Sequence, residues 1–152
     1  MTTTTDLCLS CEVGAGRHAT AGGFIHESQL FTITHHAHPE HAMAGFLILQ
    51  PRRHVEHIAE LSAEETMEFG PLLKRASMAL MDVCQPEKVY VYSFGSVIKH
   101  VHFYLIPQQT GMPNATELLD ALAAGKYACT DAEASDISAR LRVAMTKLNP
   151  YY

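Results

Sequence analysis

Three side chains able to hold or pass protons stand at alternate positions in His100-Val101-His102-Phe103-Tyr104. In an extended strand alternate residues share a face, with same-side neighbours roughly 7 Å apart. His100, His102 and Tyr104 would then meet one ligand, while Val101, Phe103 and Leu105 enter a core. An imidazole held by a hydrogen bond through one nitrogen keeps a lone pair on the other, which is the requirement for nucleophilic attack. The same alternation also describes a plain polar strand face turned to water. Near the N-terminus, Cys8-Leu9-Ser10-Cys11 offers two thiols. Taken alone they read equally as a redox pair, half a zinc site or a chance spacing, and the strand before and helix after that a redox pair wants are not evident.

The elements needed to position these groups can be read from periodicity. Phe24 to Thr34 is rich in β-branched and aromatic residues and reads as two short strands with a turn near Glu27 to Gln29. His35 to Ala44, polar and containing Pro39, reads as a loop before the buried strand Gly45 to Leu49, which Pro51 ends. Ser62 with Glu65 forms a capping box, so a helix starts there. Met67, Leu72, Leu73, Ala76, Leu80 and Val83 supply its apolar stripe, Gly70-Pro71 should kink it or loosen one turn, and it should end near Cys84 to Pro86. Lys88 to Phe94 and His100 to Ile106 read as a β-hairpin joined by Gly95 to Lys99. Helices are expected over 115–124 and 132–148, the second with Ile137, Leu141, Ala144, Met145 and Leu148 on one stripe.

Composition bounds the function classes. The chain has 152 residues, 47% of them hydrophobic, enough for one domain with a core and too few for two of ordinary size. A formal charge of -5 argues against broad nucleic-acid binding, leaving only a local basic patch at Arg52-Arg53. No apolar run approaches the roughly 20 residues of a membrane span, and Met1 to Asp6 is polar and threonine-rich rather than signal-like. Four cysteines do not make a disulfide framework. A soluble, cytoplasmic chain in a reducing compartment is expected. Ten histidines are many for this length, and most fall in His35 to His57 and His100 to His102.

The stretch Gly95-Ser-Val-Ile-Lys-His-Val-His-Phe-Tyr-Leu-Ile-Pro107 closely resembles the histidine triad (HIT) signature, His-φ-His-φ-His-φ-φ with φ apolar. The resemblance runs upstream through Gly45-Phe-Leu-Ile-Leu-Gln-Pro-Arg-Arg-His-Val-Glu56, Leu61-Ser-Ala-Glu-Glu65 and Cys8-Leu-Ser-Cys11. It covers about 8–107, leaving 108–152 as a C-terminal extension of one HIT-like domain. It implies an α+β fold, with an antiparallel sheet of about five strands, one long helix packed on it and an additional C-terminal helix. It also implies a homodimer.

The resemblance further implies nucleotide chemistry: the middle histidine, here His102, attacks an α-phosphate to give a nucleotidyl-histidine that water or an acceptor resolves. The backbone carbonyl of His100 is the expected partner of the His102 ring. Tyr104 replaces the third histidine, and its proton, with a pKa near 10, does not exchange readily at neutral pH. A uridylyltransferase branch carries glutamine there and remains catalytic, so a hydrogen-bond donor can suffice. His100, His102 and Tyr104 are thus the expected catalytic positions, and Ser96, Phe46 and Lys99 the nucleotide-binding ones. Phe46 and Ser96 replace a common histidine and glutamine. The acidic residue that usually meets the ribose is not identifiable within Thr34 to Ala44, where His35, His36, His38 and His41 are the groups on offer.

Branches with an N-terminal CxxC imply a structural Cys₂His₂ zinc site, here Cys8, Cys11, His54 and His100. Such a site would orient His102 from behind and, with all four positions filled, would not activate water. The leading expectation is a hydrolase or transferase acting on a nucleoside phosphoramidate, dinucleoside polyphosphate or similar adduct. Beside it stand a zinc-stabilised nucleotide-binding module without turnover and a metal-buffering protein built on the His35 to His41 loop.

Overall fold

Each segment with period-two apolar spacing finds an antiparallel neighbour and each with helical spacing finds a sheet face to cover. The structure is a computed structural model that describes residues 8–149, so the threonine-rich start Met1–Asp6 lies outside the described residues. Five strands, β1 (Phe24–Glu27), β2 (Phe31–His35), β3 (Leu47–Pro51), β4 (Lys88–Tyr92) and β5 (Phe103–Gln108), form one sheet in the order β1-β2-β3-β5-β4. All neighbours are antiparallel. The α-helices among the described residues are α1 (Leu9–Gly14), α2 (Ala63–Cys84), α3 (Ala115–Ala123) and α4 (Asp131–Lys147). The fold is the α+β architecture expected from the sequence.

Alternation divides the core. Phe31, Ile33, Leu47, Leu49, Phe103 and Leu105 point to one side and pack with Leu72, Ala76 and Leu80 of α2 and Leu141 and Met145 of α4. On the opposite side Phe46 and Ile106 pack with Leu118 and Leu122 of α3, joined by Tyr90, Tyr92 and Tyr104. The C-terminal extension therefore serves both faces of the sheet.

Several boundaries differ from the sequence expectation for physical reasons. β3 lies two residues later than expected, and Pro51 is its last residue, opposite Phe31. β4 and β5 do pair, but His100, Val101 and His102 precede the strand. The His100 N–H donates to Ile98 and the Val101 N–H to Val55, each at 2.8 Å, so this backbone is committed outside the ladder.

α2 begins at the expected Ser62–Glu65 capping box and stays helical through Gly70-Pro71 to Cys84. Met67 does not join its buried stripe and is 77% exposed. The five-residue step to Leu72 turns the helix about 140° out of line, whereas Leu72, Ala76 and Leu80 follow every fourth residue. α3 and α4 fall within about a residue of expectation, and Thr130–Glu133 caps α4 as Ser62–Glu65 caps α2. α1 is a helix where no element was expected.

Candidate functional site

The face of β2, β3 and β5 turned away from α2 forms the floor of a cleft. Thr34 pairs with Ile48 and Ile48 with Tyr104, giving one row across the sheet, and His102, just ahead of the start of β5, lines the same cleft. α1 is the wall. Its Ser10 carbonyl accepts from the Gln50 side-chain amide at 2.7 Å and its Gly14 carbonyl from Arg52 at 2.7 Å, which lays Leu9 and Val13 against the floor. His36, Ala37 and His38 close the other side.

His102 is buried within this cleft. Its Nδ1–H donates to the His100 carbonyl across 2.6 Å. A carbonyl can only accept, so the proton sits on Nδ1 and the lone pair on Nε2. The Tyr104 ring lies 5.2 Å from the His102 ring, centroid to centroid. Burial pushes the Tyr104 phenol above its ordinary range, so at neutral pH it is a hydrogen-bond donor.

His100, expected to share this face, instead turns its ring toward the N-terminus. Its Nε2–H donates to the Pro51 carbonyl at 2.9 Å, while Nδ1 lies 3.5 Å from the sulfur of Cys8 and 3.5 Å from that of Cys11. His54 Nδ1 lies 3.3 Å from the Cys11 sulfur, and all four ligand atoms fall within 4.8 Å of one another. A tetrahedral zinc with ordinary bond lengths separates sulfur from nitrogen by about 3.6 Å. The residues therefore fit the ion in identity, count and spacing. The Pro51 carbonyl behind His100 is the kind of outer partner that would fix a ligating imidazole, and Glu56, 3.9 Å from His54 Nε2, stands behind the other ring. Cys8 and Cys11 lie one helical turn apart at the start of α1, so both sulfurs emerge on one side. Burial and the neighbouring Cys8 thiol push the Cys11 thiol up to about 11, and burial lowers His100 below the usual imidazole value.

The histidine-rich stretch does not gather a second metal cluster among the described residues. His35 ends β2 fully buried, accepting at Nε2 from the Gly45 N–H at 3.3 Å and donating from Nδ1 to His36. Gly45 adopts φ +89° with Cys84 and Pro107 within 3.2 Å of where a Cβ would stand, so only glycine fits. The His36 ring packs 4.7 Å from Phe46 and 6.0 Å from Tyr104, and burial lowers its pKa to about 4. It is neutral at pH 7.

Of the sequence-expected nucleotide contacts, Phe46 lies beneath Tyr104, 5.0 Å away and edge-on, rather than in the cleft beside His102. Ser96 and Lys99 are exposed on the connection into β5, and Lys99 lines an opening beside His54 and Glu56. Neither is brought to the His102 cleft. Sequence reasoning missed Leu9 and Val13, though their spacing of four around Cys11 is a helical signal.

No protein-family model matches the chain, and no curated protein matches it. Solved structures do. A zinc-bound histidine triad family protein from Mycobacterium smegmatis superposes with a TM-score of 0.72 at 14% identity, covering 94% of this chain and 96% of that one. A hypothetical histidine triad nucleotide-binding protein from Sulfolobus tokodaii gives 0.71 at 16% identity, covering 93% of each chain. A HIT-like protein involved in cell-cycle regulation from Bartonella henselae gives 0.71 at 13% identity, covering 91% and 96%. With sheet order, cleft and Cys₂His₂ cluster in place, this likeness over nearly the whole chain shows that the protein has the histidine triad fold.

Proposed function

We propose that this chain binds a nucleotide in the cleft between α1 and the sheet and transfers its nucleotidyl group through His102, acting as a hydrolase or nucleotidyl transferase. The observation that carries the reading is the His102 ring, protonated on Nδ1 by its bond to the His100 carbonyl and so left with a lone pair on Nε2 beside the cleft. The name of the Sulfolobus relative, a nucleotide-binding protein, is consistent with it.

In the first step the Nε2 lone pair forms a bond to the α-phosphorus. The bond from phosphorus to the leaving group breaks, and the leaving group takes its electron pair. In the second, water attacks the same phosphorus, the P–N bond returns its pair to Nε2, and the water's proton passes to solvent. Tyr104 donates its O–H to a phosphoryl or leaving oxygen, stabilising charge without giving up its proton. His36 occupies the cleft wall, where the described lining residues include no carboxylate, and contacts the ribose or base as a neutral ring. Leu9, Val13 and Ile48 offer the apolar surface for the base. Substrates of this chemistry are nucleoside phosphoramidates, dinucleoside polyphosphates and related adducts.

Cys8, Cys11, His54 and His100 would hold a structural zinc, which supplies a crosslink between α1, the segment after β3 and the segment before β5. Through it the His100 carbonyl is held against His102 and α1 against the sheet. The zinc-bound Mycobacterium relative supports this assignment.

The decisive test is rapid acid quench after mixing with α-³²P-labelled adenosine and guanosine adducts. Acid-labile, base-stable label on wild type, absent from His102→Ala, is expected. Nucleotide binding without label or turnover would overturn catalysis and leave the zinc-stabilised binding module, the reading Tyr104 favours. The free thiols among the described residues support a cytoplasmic location, and a homodimer remains part of the proposal. A monomer's elution volume at micromolar concentration would remove the dimer.

A further inference from the structure

Tyr104 and His36 line two cavities. On one side lies the His102 cleft; on the other is a groove between the sheet and α3, bounded by Phe46, Phe94, Leu119 and Leu122, with Asp120 at its rim. We propose that this second groove receives the leaving group of the substrate and selects an uncharged, ring-bearing one. The inference rests on the nucleotidyl-transfer reading above and narrows its substrate class.

Continuity of the two spaces comes first. A nucleotide held between α1 and the sheet puts its phosphate near His102, and the group attached beyond that phosphate must pass Tyr104. The Tyr104 ring is the shared wall, 5.2 Å from the His102 ring and 6.3 Å from that of Phe94. A group that departs opposite the His102 Nε2 and passes Tyr104 would enter the groove, since Tyr104 and His36 line both spaces.

The chemistry of the walls comes second. Phe94 is 59% exposed, a large apolar surface left open to water. It is not loose: its ring stacks on Tyr92 at 5.9 Å and 15°, and Tyr92 on Tyr90 at 5.8 Å and 28°, so the ring is a shelf supported by β4. Tyr90 and Tyr92 are in turn tied to the start of α3 through Asn114 and the Ala115 carbonyl. Such a shelf offers offset stacking and apolar contact to a planar group. Among the described residues the groove's ionisable side chains are Asp120, His41, the neutral His36 and the Tyr104 phenol. A carboxylate at the rim with no lysine or arginine lining the groove repels a polyphosphate leaving group and tolerates a neutral aromatic one.

The proposal thus assigns a function to α3, an element of the C-terminal extension. It favours nucleotide esters or amidates of an aromatic moiety over dinucleoside polyphosphates.

The test measures binding, so it does not depend on turnover. Adenosine and guanosine 5′-methylphosphonate and their 5′-(2-naphthylmethyl)phosphonate counterparts, which have uncleavable P–C bonds, are titrated calorimetrically into wild type, Leu119→Trp and Phe94→Ala. The naphthyl compound should bind wild type about tenfold more tightly than the methyl compound. Leu119→Trp, which fills the groove, and Phe94→Ala, which removes the shelf at an exposed position, should each bring that ratio below about threefold. Equal affinities in wild type, or an undiminished ratio in both variants, overturn the groove assignment alone. Tighter binding of a diadenosine polyphosphate analogue than of the naphthyl compound also overturns it. Failure of every nucleotide phosphonate to bind overturns the nucleotide reading and this inference with it.

Discussion

The His102 Nδ1–H donates to the His100 carbonyl across 2.6 Å, while the His100 ring turns the other way and presents Nδ1 to the sulfurs of Cys8 and Cys11. One residue thus faces two sites, its backbone toward the proposed nucleophile His102 and its side chain toward the Cys₂His₂ cluster. Anything that moves His100 to satisfy a metal also moves the carbonyl that sets the His102 tautomer.

Zinc content and nucleotide binding should therefore change together. Untagged protein should carry one zinc per chain, and His54→Ala or Cys11→Ser should lose most of it. The same variants should bind nucleotide about tenfold more weakly, because α1 is both cluster and cleft wall. Metal analysis and calorimetry on one sample check both, and full nucleotide affinity without zinc would refute the coupling.

Zinc uptake should release protons. The Cys11 thiol, pushed up to about 11, is protonated at neutral pH and must ionise to ligate. Apparent zinc affinity should rise steadily from pH 6 to pH 8. Calorimetry in two buffers of different ionisation enthalpy reads the proton count, and a count of zero contradicts thiolate ligation.

Tyr104→Phe keeps the ring packing with Phe46 and His36 and removes one hydroxyl. Loss of a single donor to developing charge costs about a hundredfold in turnover with little change in nucleotide affinity. Tyr104→His should restore turnover if a donor is all that position requires. Steady-state kinetics on both variants decide it; an unimpaired Tyr104→Phe would remove Tyr104 from the mechanism.

Acid should destabilise the fold through His36. Its folded pKa of about 4 lies below the ordinary imidazole value of about 6.5, so between those values the unfolded chain binds more protons. Stability is then present above about pH 6.5 and is lost as pH falls toward 4, and buried His35 and half-buried His26 act in the same direction. Urea midpoints measured across that window should fall in wild type and fall less in His36→Phe. Equal slopes would place the titration elsewhere.

Glu65 is buried under the start of α2, where it accepts from the Ser62 N–H at 2.7 Å and from Arg53 at 2.8 Å. Glu65→Ala removes half the capping box and the carboxylate partner of Arg53, at a cost of about 2 kcal/mol, moderated because Arg53 is half exposed and keeps its bond to the Glu60 carbonyl. The urea midpoint reports the loss. Since Arg53 precedes His54, zinc occupancy should fall as well.

The sequence by itself determined the elements whose signals are local. Val101, Phe103 and Leu105 alternate into the core, Ser62 and Glu65 start α2, and the spacing of Ile137, Leu141, Ala144 and Met145 made α4 readable. The cluster residues Cys8, Cys11, His54 and His100 were legible only through likeness to a known signature, because their separation along the chain says nothing of their distance in space, and the role proposed for His102 rests on the same likeness.

Tertiary structure decided which way His100 faces, as the likeness to the CxxC branches implied and strand alternation did not. Strand alternation would have placed its ring beside His102, but Val101 pairs with Val55 outside the ladder and the ring turns to the α1 cysteines. It also made α1 a helix: six residues are too few to be stable alone, and these are held by bonds from Gln50 and Arg52 to α1 carbonyls. His35 became a fully buried strand end rather than a solvated loop because the Gly45 N–H reaches its ring. In each case a long-range hydrogen bond or packing contact outweighed a local preference worth less than about 1 kcal/mol per residue.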